Sequence, residues 1–231
     1  MTAKVFLKNR WEELLLLLLA VLFFLLRFLY LSQVPFINDE PALQLLLEKH
    51  MASGTLPVLG LAGSVGLRYG PSALWLYWPI RLFTHDVNFL TAAYCCYFGI
   101  GFALLFLAIK RSLGGRVAAW TLLFASSSPY LFFYSRLAWD NPLLVLFLPM
   151  MAHALSLWEQ RCRISVAAYL GFSAGMAISL HLMAAPAVLG AFLLVVRKLA
   201  LQQGKQRTVL FISGAFSFLL PVVPYLWGLS H

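Results

Sequence analysis

The chain has 231 residues, of which 62% are hydrophobic and only 11% are charged, and its formal net charge is +9. Average soluble domains contain about 45–50% apolar and about 25% charged residues, so this composition excludes a soluble globular enzyme, a disordered tail, a collagen and a disulfide-rich scaffold. It is typical of an integral membrane protein, in which basic residues between apolar segments indicate orientation rather than nucleic-acid binding.

The first apolar segment, residues 14–31, is long enough to cross a membrane as a helix, which takes about 20 residues. Lys4, Lys8 and Arg10 precede it, and no small-residue cleavage site follows it. We therefore predict a retained signal anchor with a cytoplasmic N-terminus. Arg27 lies about one turn from the far end of the segment, where we expect its side chain to snorkel to the interface.

Residues 32–87 are predicted to form one long outer loop that contains two interfacial helices. The first helix has Pro41 in its first turn and ends before Gly54. Its apolar stripe, which we expect to lie on the outer leaflet, consists of Leu43, Leu46, Leu47 and Met51. The second helix, residues 71–83, is too short to cross a membrane and is rich in Trp and Tyr, which favour the headgroup region.

Six further apolar segments complete the predicted bundle, and they are residues 88–109, 117–133, 141–158, 166–182, 185–197 and 209–227. The predicted fold is an all-α polytopic transmembrane helix bundle of about seven spans, in one transmembrane domain over residues 1–231 whose later spans occupy residues 88–227. The spacing Gly171-x-x-x-Gly175-x-x-x-Ser179 predicts close helix packing.

The distribution of basic residues supports this arrangement. With residues 71–83 left at the surface, twelve Lys and Arg lie on the inner side and four lie on the outer side. If residues 71–83 crossed, the numbers would become five and eleven. The positive-inside rule favours the first arrangement, which predicts a multi-pass protein of the inner (cell) membrane with a cytoplasmic N-terminus.

The acidic pair Asp39-Glu40 opens the outer loop, directly after the first span. In one interpretation Asp39 only caps the following helix and Glu40 only interacts with its dipole. In the other interpretation the pair supplies a general base, which takes a proton from an acceptor hydroxyl or amine as the acceptor attacks an activated sugar.

A second group of charges lies at the junction of two spans, in Arg136-Leu137-Ala138-Trp139-Asp140. Its two ends are four residues apart, so one interpretation is an interfacial ion pair between Arg136 and Asp140, worth a few tenths of a kcal/mol. The alternative is that Arg136 binds an anionic headgroup or phosphate and that Asp140 orients it or assists the acceptor. Arg68, in a turn on the same side, is either a second phosphate ligand or a solvated loop arginine.

The order of these segments resembles the GT-C superfamily of polytopic glycosyltransferases, and most closely the N-terminal half of its protein O-mannosyltransferase and aminoarabinose (lipid A) transferase branch. The resemblance covers most of residues 10–200. The matching segments are Asp39-Glu40, Tyr69-Gly70-Pro71 with the aromatic helix after it, Ser126-Ser127-Ser128-Pro129, and Arg136-x-x-x-Asp140-Asn141-Pro142. Members of these families are usually much longer and have more spans.

The resemblance implies transfer of a hexosyl or pentosyl group from a polyprenyl-phosphate donor to a lipid or protein acceptor on the outer (periplasmic) face. It implies a catalytic role for Asp39, with Glu40 beside it, and places Asp140 in the same site. It assigns Arg136, Arg68 and Tyr69 to substrate binding.

Other interpretations stay open. The chain is alternatively a non-enzymatic subunit or half of an enzyme, completed by a second subunit that supplies further spans. A transporter is disfavoured because the acids lie at the outer interface rather than near the midplane. No cofactor follows from the residues, and two adjacent acids are too few ligands to assign a divalent metal, which stays open. No nucleic-acid partner is expected.

Overall fold

The computed structural model describes residues 3–34, 39–63 and 66–230. All regular structure in these ranges is helical, apart from one isolated bridge between Ala62 and Arg68. The α-helices are α1 (Ala3–Leu25), α2 (Asp39–Ser53), α3 (Ser72–Arg81), α4 (Val87–Leu113), α5 (Gly115–Ser127), α6 (Pro129–Tyr134), α7 (Leu144–Gln160), α8 (Ile164–Leu180), α9 (Ala185–Ala200) and α10 (Gly204–Leu229).

Four helical segments of the described chain are long and apolar enough to cross a membrane, and they are Val87–Leu113, Asn141–Gln160, Leu182–Ala200 and Gly204–Leu229. The all-helical fold is therefore confirmed in the described ranges, and these four segments agree with the membrane character predicted from composition. The total of seven crossings stays a prediction.

Two predicted spans have different ends in the structure. The first helix occupies Ala3–Leu25, and a short 3-10 turn follows it at Leu26–Phe28. The predicted span 117–133 is interrupted at Ser128, which is extended and caps α6 by accepting a hydrogen bond from the backbone N–H of Leu131. The cause is Pro129, because a proline disfavours the helical conformation of the residue before it and has no N–H to donate.

Small residues allow the helices to approach one another. A Cβ at Gly101 of α4 would overlap the backbone of α7 at Val145, and a Cβ at Gly171 of α8 would overlap the backbone of α10 at Gly214. Gly175 packs one turn later against α10 in the same way. The small-residue stripe on α8 therefore has the packing role that its spacing predicts.

Helix α2 packs into the protein core through its apolar stripe, so the prediction that this stripe lies on the outer leaflet is wrong. Leu43 and Leu47 are fully buried in the main core, together with Leu74 and Tyr77 of α3. The helix ends at Ser53 and is followed by Gly54 in the left-handed conformation (φ +64°), as the sequence predicts. Gln44, which the sequence places off the stripe, is also buried.

The bundle has two chemically different ends. The segment before α7 lies at the same end as the end of α8, where the backbone N–H of Gly70 donates a hydrogen bond to the Ser179 carbonyl at 2.6 Å. We call this the acid end, because α2 and the loop that contains Asp140 also lie there. The turn at residues 161–163 and the first turns of α10 lie at the opposite end, which we call the basic end because its charges are mainly Arg161, Arg163, Lys198, Lys205 and Arg207.

Candidate functional site

Three acids from two distant parts of the sequence lie close together at the acid end. The Glu40 carboxylate on α2 accepts a hydrogen bond from the backbone N–H of Ala138 at 2.5 Å, two residues before Asp140. Glu40 and Asp140 are 3% and 2% exposed, whereas Asp39 is exposed to the surroundings. The site thus combines one accessible carboxylate with two buried ones, and Glu40 does more than interact with the dipole of its own helix.

Asp140 is the acid whose ionisation the surroundings alter most clearly. Burial raises its pKa to about 7, and the negative charge of Asp39 acts in the same direction. Its Oδ1 atom accepts the backbone N–H of Asn141 at 2.7 Å, which opposes the shift and caps the turn at Asn141–Leu143. Near neutral pH, Asp140 can therefore either hold or release a proton.

Two tyrosines form the buried wall behind these carboxylates. The rings of Tyr77 on α3 and Tyr94 on α4 are stacked with centroids 6.2 Å apart. The Tyr94 hydroxyl donates to the Trp139 carbonyl at 2.6 Å, which holds the loop next to Asp140. The buried Tyr77 hydroxyl has no hydrogen-bond partner in the described part of the chain. Burial raises the pKa of Tyr77 well above its usual value, and the nearby acids Asp140 and Glu40 add to this, so the hydroxyl remains a donor.

Sequence reasoning missed Tyr77, Tyr94 and Gln44. Gln44 lies one turn after Glu40 on α2, is buried, and has no hydrogen-bond partner for its side-chain amide within the described residues. The four-residue spacing between Glu40 and Gln44 is the one sequence feature that could have indicated that Gln44 belongs to the site. The tyrosines give no such signal, because aromatic residues in an apolar segment usually belong to the core.

Arg136 binds backbone carbonyls rather than an acid. Its Nη2 atom donates to the carbonyls of Leu29 at 2.6 Å and Tyr30 at 3.1 Å, and its guanidinium lies 5.3 Å from the Phe132 ring centroid. The interpretation of Arg136 and Asp140 as an ion pair is therefore wrong, because the chain that follows α1 supplies closer acceptors. Arg136 is half-buried and lines a cleft of about 300 Å³ between Tyr30 and Phe132.

Arg27 is fully buried beneath this cleft, so the prediction that it snorkels to the interface is wrong. It donates to Ser135 Oγ at 2.9 Å and to the carbonyls of Ser126 at 2.9 Å and Phe23 at 3.1 Å. The rings around the guanidinium are Phe24, Phe102 and Phe132. These acceptors and aromatic faces hold the cation inside the bundle, and they also fix the start of the loop that contains Arg136.

Tyr69 pairs through its backbone with Gly60 and Leu61, and the segment that contains Arg68 and Tyr69 packs on α8 and α10. The Tyr69 ring contacts the His181 ring at a centroid distance of 4.7 Å, and the Arg68 carbonyl accepts the Tyr225 hydroxyl at 2.8 Å. The Arg68 side chain is exposed. Neither residue makes a hydrogen bond or an ion pair with the described acids, so their role in substrate binding stays a prediction.

The described residues contain no group of three or more His, Cys, Asp and Glu side chains that could hold a metal ion. The side chains that the site itself offers are its carboxylates, its tyrosine hydroxyl and the arginine at the adjoining cleft.

The chain has no significant match among protein-family models, curated proteins or solved structures.

Proposed function

We propose that the protein is a membrane glycosyltransferase that moves a sugar from a polyprenyl-phosphate donor to a lipid or protein acceptor at the acid end of the bundle. The observation that supports this most directly is the convergence of Asp39 and Glu40 with Asp140, at one mouth of an apolar bundle. An exposed acid beside a buried acid of raised pKa is an arrangement suited to general acid–base catalysis.

In the proposed reaction Asp39 is the general base, because it is the acid that an acceptor can reach. The acceptor hydroxyl oxygen attacks the anomeric carbon of the sugar, and its proton passes to the Asp39 carboxylate. The bond between the anomeric carbon and the phosphate oxygen breaks, and polyprenyl phosphate leaves with the electron pair. An amine acceptor would react through its nitrogen in the same way.

Asp140 has a complementary role in this proposal. Its pKa of about 7 lets it keep a proton beside an ionised Asp39. A protonated Asp140 donates a hydrogen bond to the sugar or the acceptor, and the Tyr77 hydroxyl is a second donor in the same wall. Glu40 is a positioning residue, because its hydrogen bond to Ala138 holds the two halves of the site together.

Arg136 is the residue of this site suited to the donor phosphate. The leaving group carries negative charge, and a fixed guanidinium stabilises that charge as it develops. The hydrogen bonds to Leu29 and Tyr30 use Nη2 and leave Nε without a partner among the described residues. The cleft beside Arg136 is lined by Tyr30, Phe132 and Phe133, which provide apolar surface for the first isoprene units.

The proposed orientation places the acid end on the outer (periplasmic) face of the inner membrane and the N-terminus in the cytoplasm. It rests on the excess of Lys and Arg at the basic end and on the positive-inside rule. Seven spans satisfy this orientation when α1, α8, and α5 continued by α6 cross together with the four segments that are long and apolar enough to do so.

A reconstituted transfer assay tests the proposal. Proteoliposomes that contain the chain receive a panel of polyprenyl-phosphate hexoses and pentoses with lipid and peptide acceptors, and products are identified by mass spectrometry. Arg136→Gln should raise the KM for the donor by about tenfold or more, since a charge-assisted contact is worth about 1.5–3 kcal/mol. Absence of turnover with every donor in folded protein would contradict the enzyme proposal and favour a subunit that requires a partner chain.

A further inference from the structure

An apolar groove runs between α8, α9 and α10. Its volume is about 490 Å³. Residues that line it include Leu170, Ala174, Val188, Ala191, Val195 and Phe218. Along α10 the groove extends from Leu210 to Leu219, which is about 13 Å at 1.5 Å per residue. A long, narrow apolar space that faces a bilayer is suited to a hydrocarbon chain.

A second cavity, of about 620 Å³, adjoins the groove at the basic end. Leu210 lines both cavities, so they are neighbours at this residue. The lining of the second cavity combines four polar or basic residues, Arg163, Ser165, Lys205 and Gln206, with the less polar residues Cys162, Ile164, Val209 and Leu210. We call it the basic cup.

The cations of the basic cup have no acidic partner within the described chain. Neither Arg163 nor Lys205 forms an ion pair there. Glu159, the nearby acid, is bound to Lys198 on α9. Helix α8 also begins here, at Ile164, with the positive end of its dipole and the first backbone N–H groups at the cup. The cup is therefore complementary to an anion.

Trp158 marks the junction of the groove and the basic end. Its side chain is fully buried and lines the groove, and its Nε1–H has no hydrogen-bond partner in the described residues. A buried indole N–H normally has a partner. An ester or phosphate oxygen at the entrance of the groove would satisfy this donor.

We propose that the groove and the basic cup together bind one anionic phospholipid of the cytoplasmic leaflet. One acyl chain lies in the groove, the phosphate lies in the cup beside Arg163 and Lys205, and a headgroup or ester oxygen accepts the Trp158 N–H. The basic cup is at the opposite end of the bundle from Asp39, Glu40 and Asp140. The inference uses the proposed membrane orientation but does not depend on the proposed transferase activity.

Native mass spectrometry of the full chain in detergent tests the inference, with dioleoyl phosphatidylglycerol and dioleoyl phosphatidylcholine offered as an equimolar mixture. The wild type should bind phosphatidylglycerol preferentially. The double variant Arg163→Gln, Lys205→Gln should show a weaker preference, by a factor of about five for each cation removed. The matched control is Arg161→Gln with Arg207→Gln, which removes the same charge from the same two segments and should keep the preference. The proposal would be overturned if both double variants lost the preference for phosphatidylglycerol equally, or if the wild type showed no preference.

A second pair of variants tests the groove. Ala191→Phe fills it, whereas Gly190→Phe places the same ring at a position where a Cβ meets no other atom within 4 Å. Phosphatidylglycerol binding should fall in the first variant and persist in the second. Inorganic phosphate at millimolar concentration should not displace the lipid. Equal binding by both groove variants, or displacement by phosphate alone, would show that the acyl chain does not occupy the groove.

Discussion

Glu40 and Ala138 are joined by a hydrogen bond of 2.5 Å, although they lie 98 residues apart in the sequence. Both residues are buried. This bond attaches the first turn of α2 to the loop before α7, and the two acids that flank it, Asp39 and Asp140, are thereby held in one site. The geometry of the proposed catalytic centre therefore depends on a carboxylate that does not itself reach the surface.

Substitution of Glu40 should separate a structural effect from a charge effect. Glu40→Ala leaves the buried Ala138 N–H without this acceptor, and we expect a loss of about 1–3 kcal/mol in the free energy of unfolding. Glu40→Gln keeps an acceptor oxygen and should lose less. The measurement is SDS-induced unfolding of the detergent-solubilised protein. Equal losses in the two variants would contradict a positioning role for the hydrogen bond.

Asp140 should make stability depend on pH. Its pKa is about 7 in the folded protein against 3.8 for a free side chain, so between these values the folded state binds more protons than the unfolded state. Stability should therefore fall as pH rises through this interval. Asp140→Asn removes the cost of ionising a buried acid but keeps an acceptor for Asn141.

Relative to the wild type, the stability of this variant should increase by about 3 kcal/mol between pH 5 and pH 8, because about two pKa units of the shift fall in this interval and one pKa unit corresponds to about 1.4 kcal/mol. Thermal unfolding at a series of pH values measures the difference. Asp86→Asn, at the exposed cap of α4, is the matched control and should show no comparable trend. A difference between Asp140→Asn and the wild type that is independent of pH would contradict the assignment.

Arg27 should be important for folding although no acid faces it among the described residues. Arg27→Ala removes three hydrogen bonds and the packing of the guanidinium on Phe24, Phe102 and Phe132. We expect a loss of about 2–5 kcal/mol, as for truncation of a large buried side chain. Arg116→Ala removes an exposed arginine paired with Glu12 at 3.0 Å and should cost less than about 1 kcal/mol. Comparable losses would show that Arg27 is not held as described.

Substitution by alanine should have opposite effects on stability at Gly171 of α8 and at Gly190 of α9. Gly171→Ala would push the backbone of α10 away at Gly214, and it should destabilise the bundle. Gly190→Ala adds a methyl group in open space and should be neutral or stabilising by about 0.5–1 kcal/mol, because alanine favours a helix over glycine. Unfolding midpoints of the two variants check this. Tolerance of alanine at Gly171 would contradict the close α8–α10 contact.

The sequence predicts the helical segments well because membrane helices are long apolar runs separated by turn residues and charges. The end of α2 at Gly54 and the packing role of Gly171 and Gly175 also follow from local rules. The break at Ser128 could have been anticipated from Pro129, since a proline restricts the residue before it.

The site was less predictable because it depends on contacts between distant segments. The sequence places Asp39 and Asp140 on one side of the membrane, but not next to each other. Arg136 is four residues from Asp140, yet the carbonyls of Leu29 and Tyr30 compete for it successfully. The burial of Arg27 depends on acceptors contributed by three separate segments, which no local pattern reveals.

The most direct test of the proposed function compares sugar transfer by Asp39→Asn and Asp86→Asn with that of the wild type in the same proteoliposomes. Both variants remove one exposed carboxylate, but only Asp39 belongs to the group of three acids. The proposal predicts that Asp39→Asn loses transfer by at least about 100-fold, the lower range for loss of a general base, while Asp86→Asn retains it. Full transfer by folded Asp39→Asn protein would contradict the proposed role of this acid.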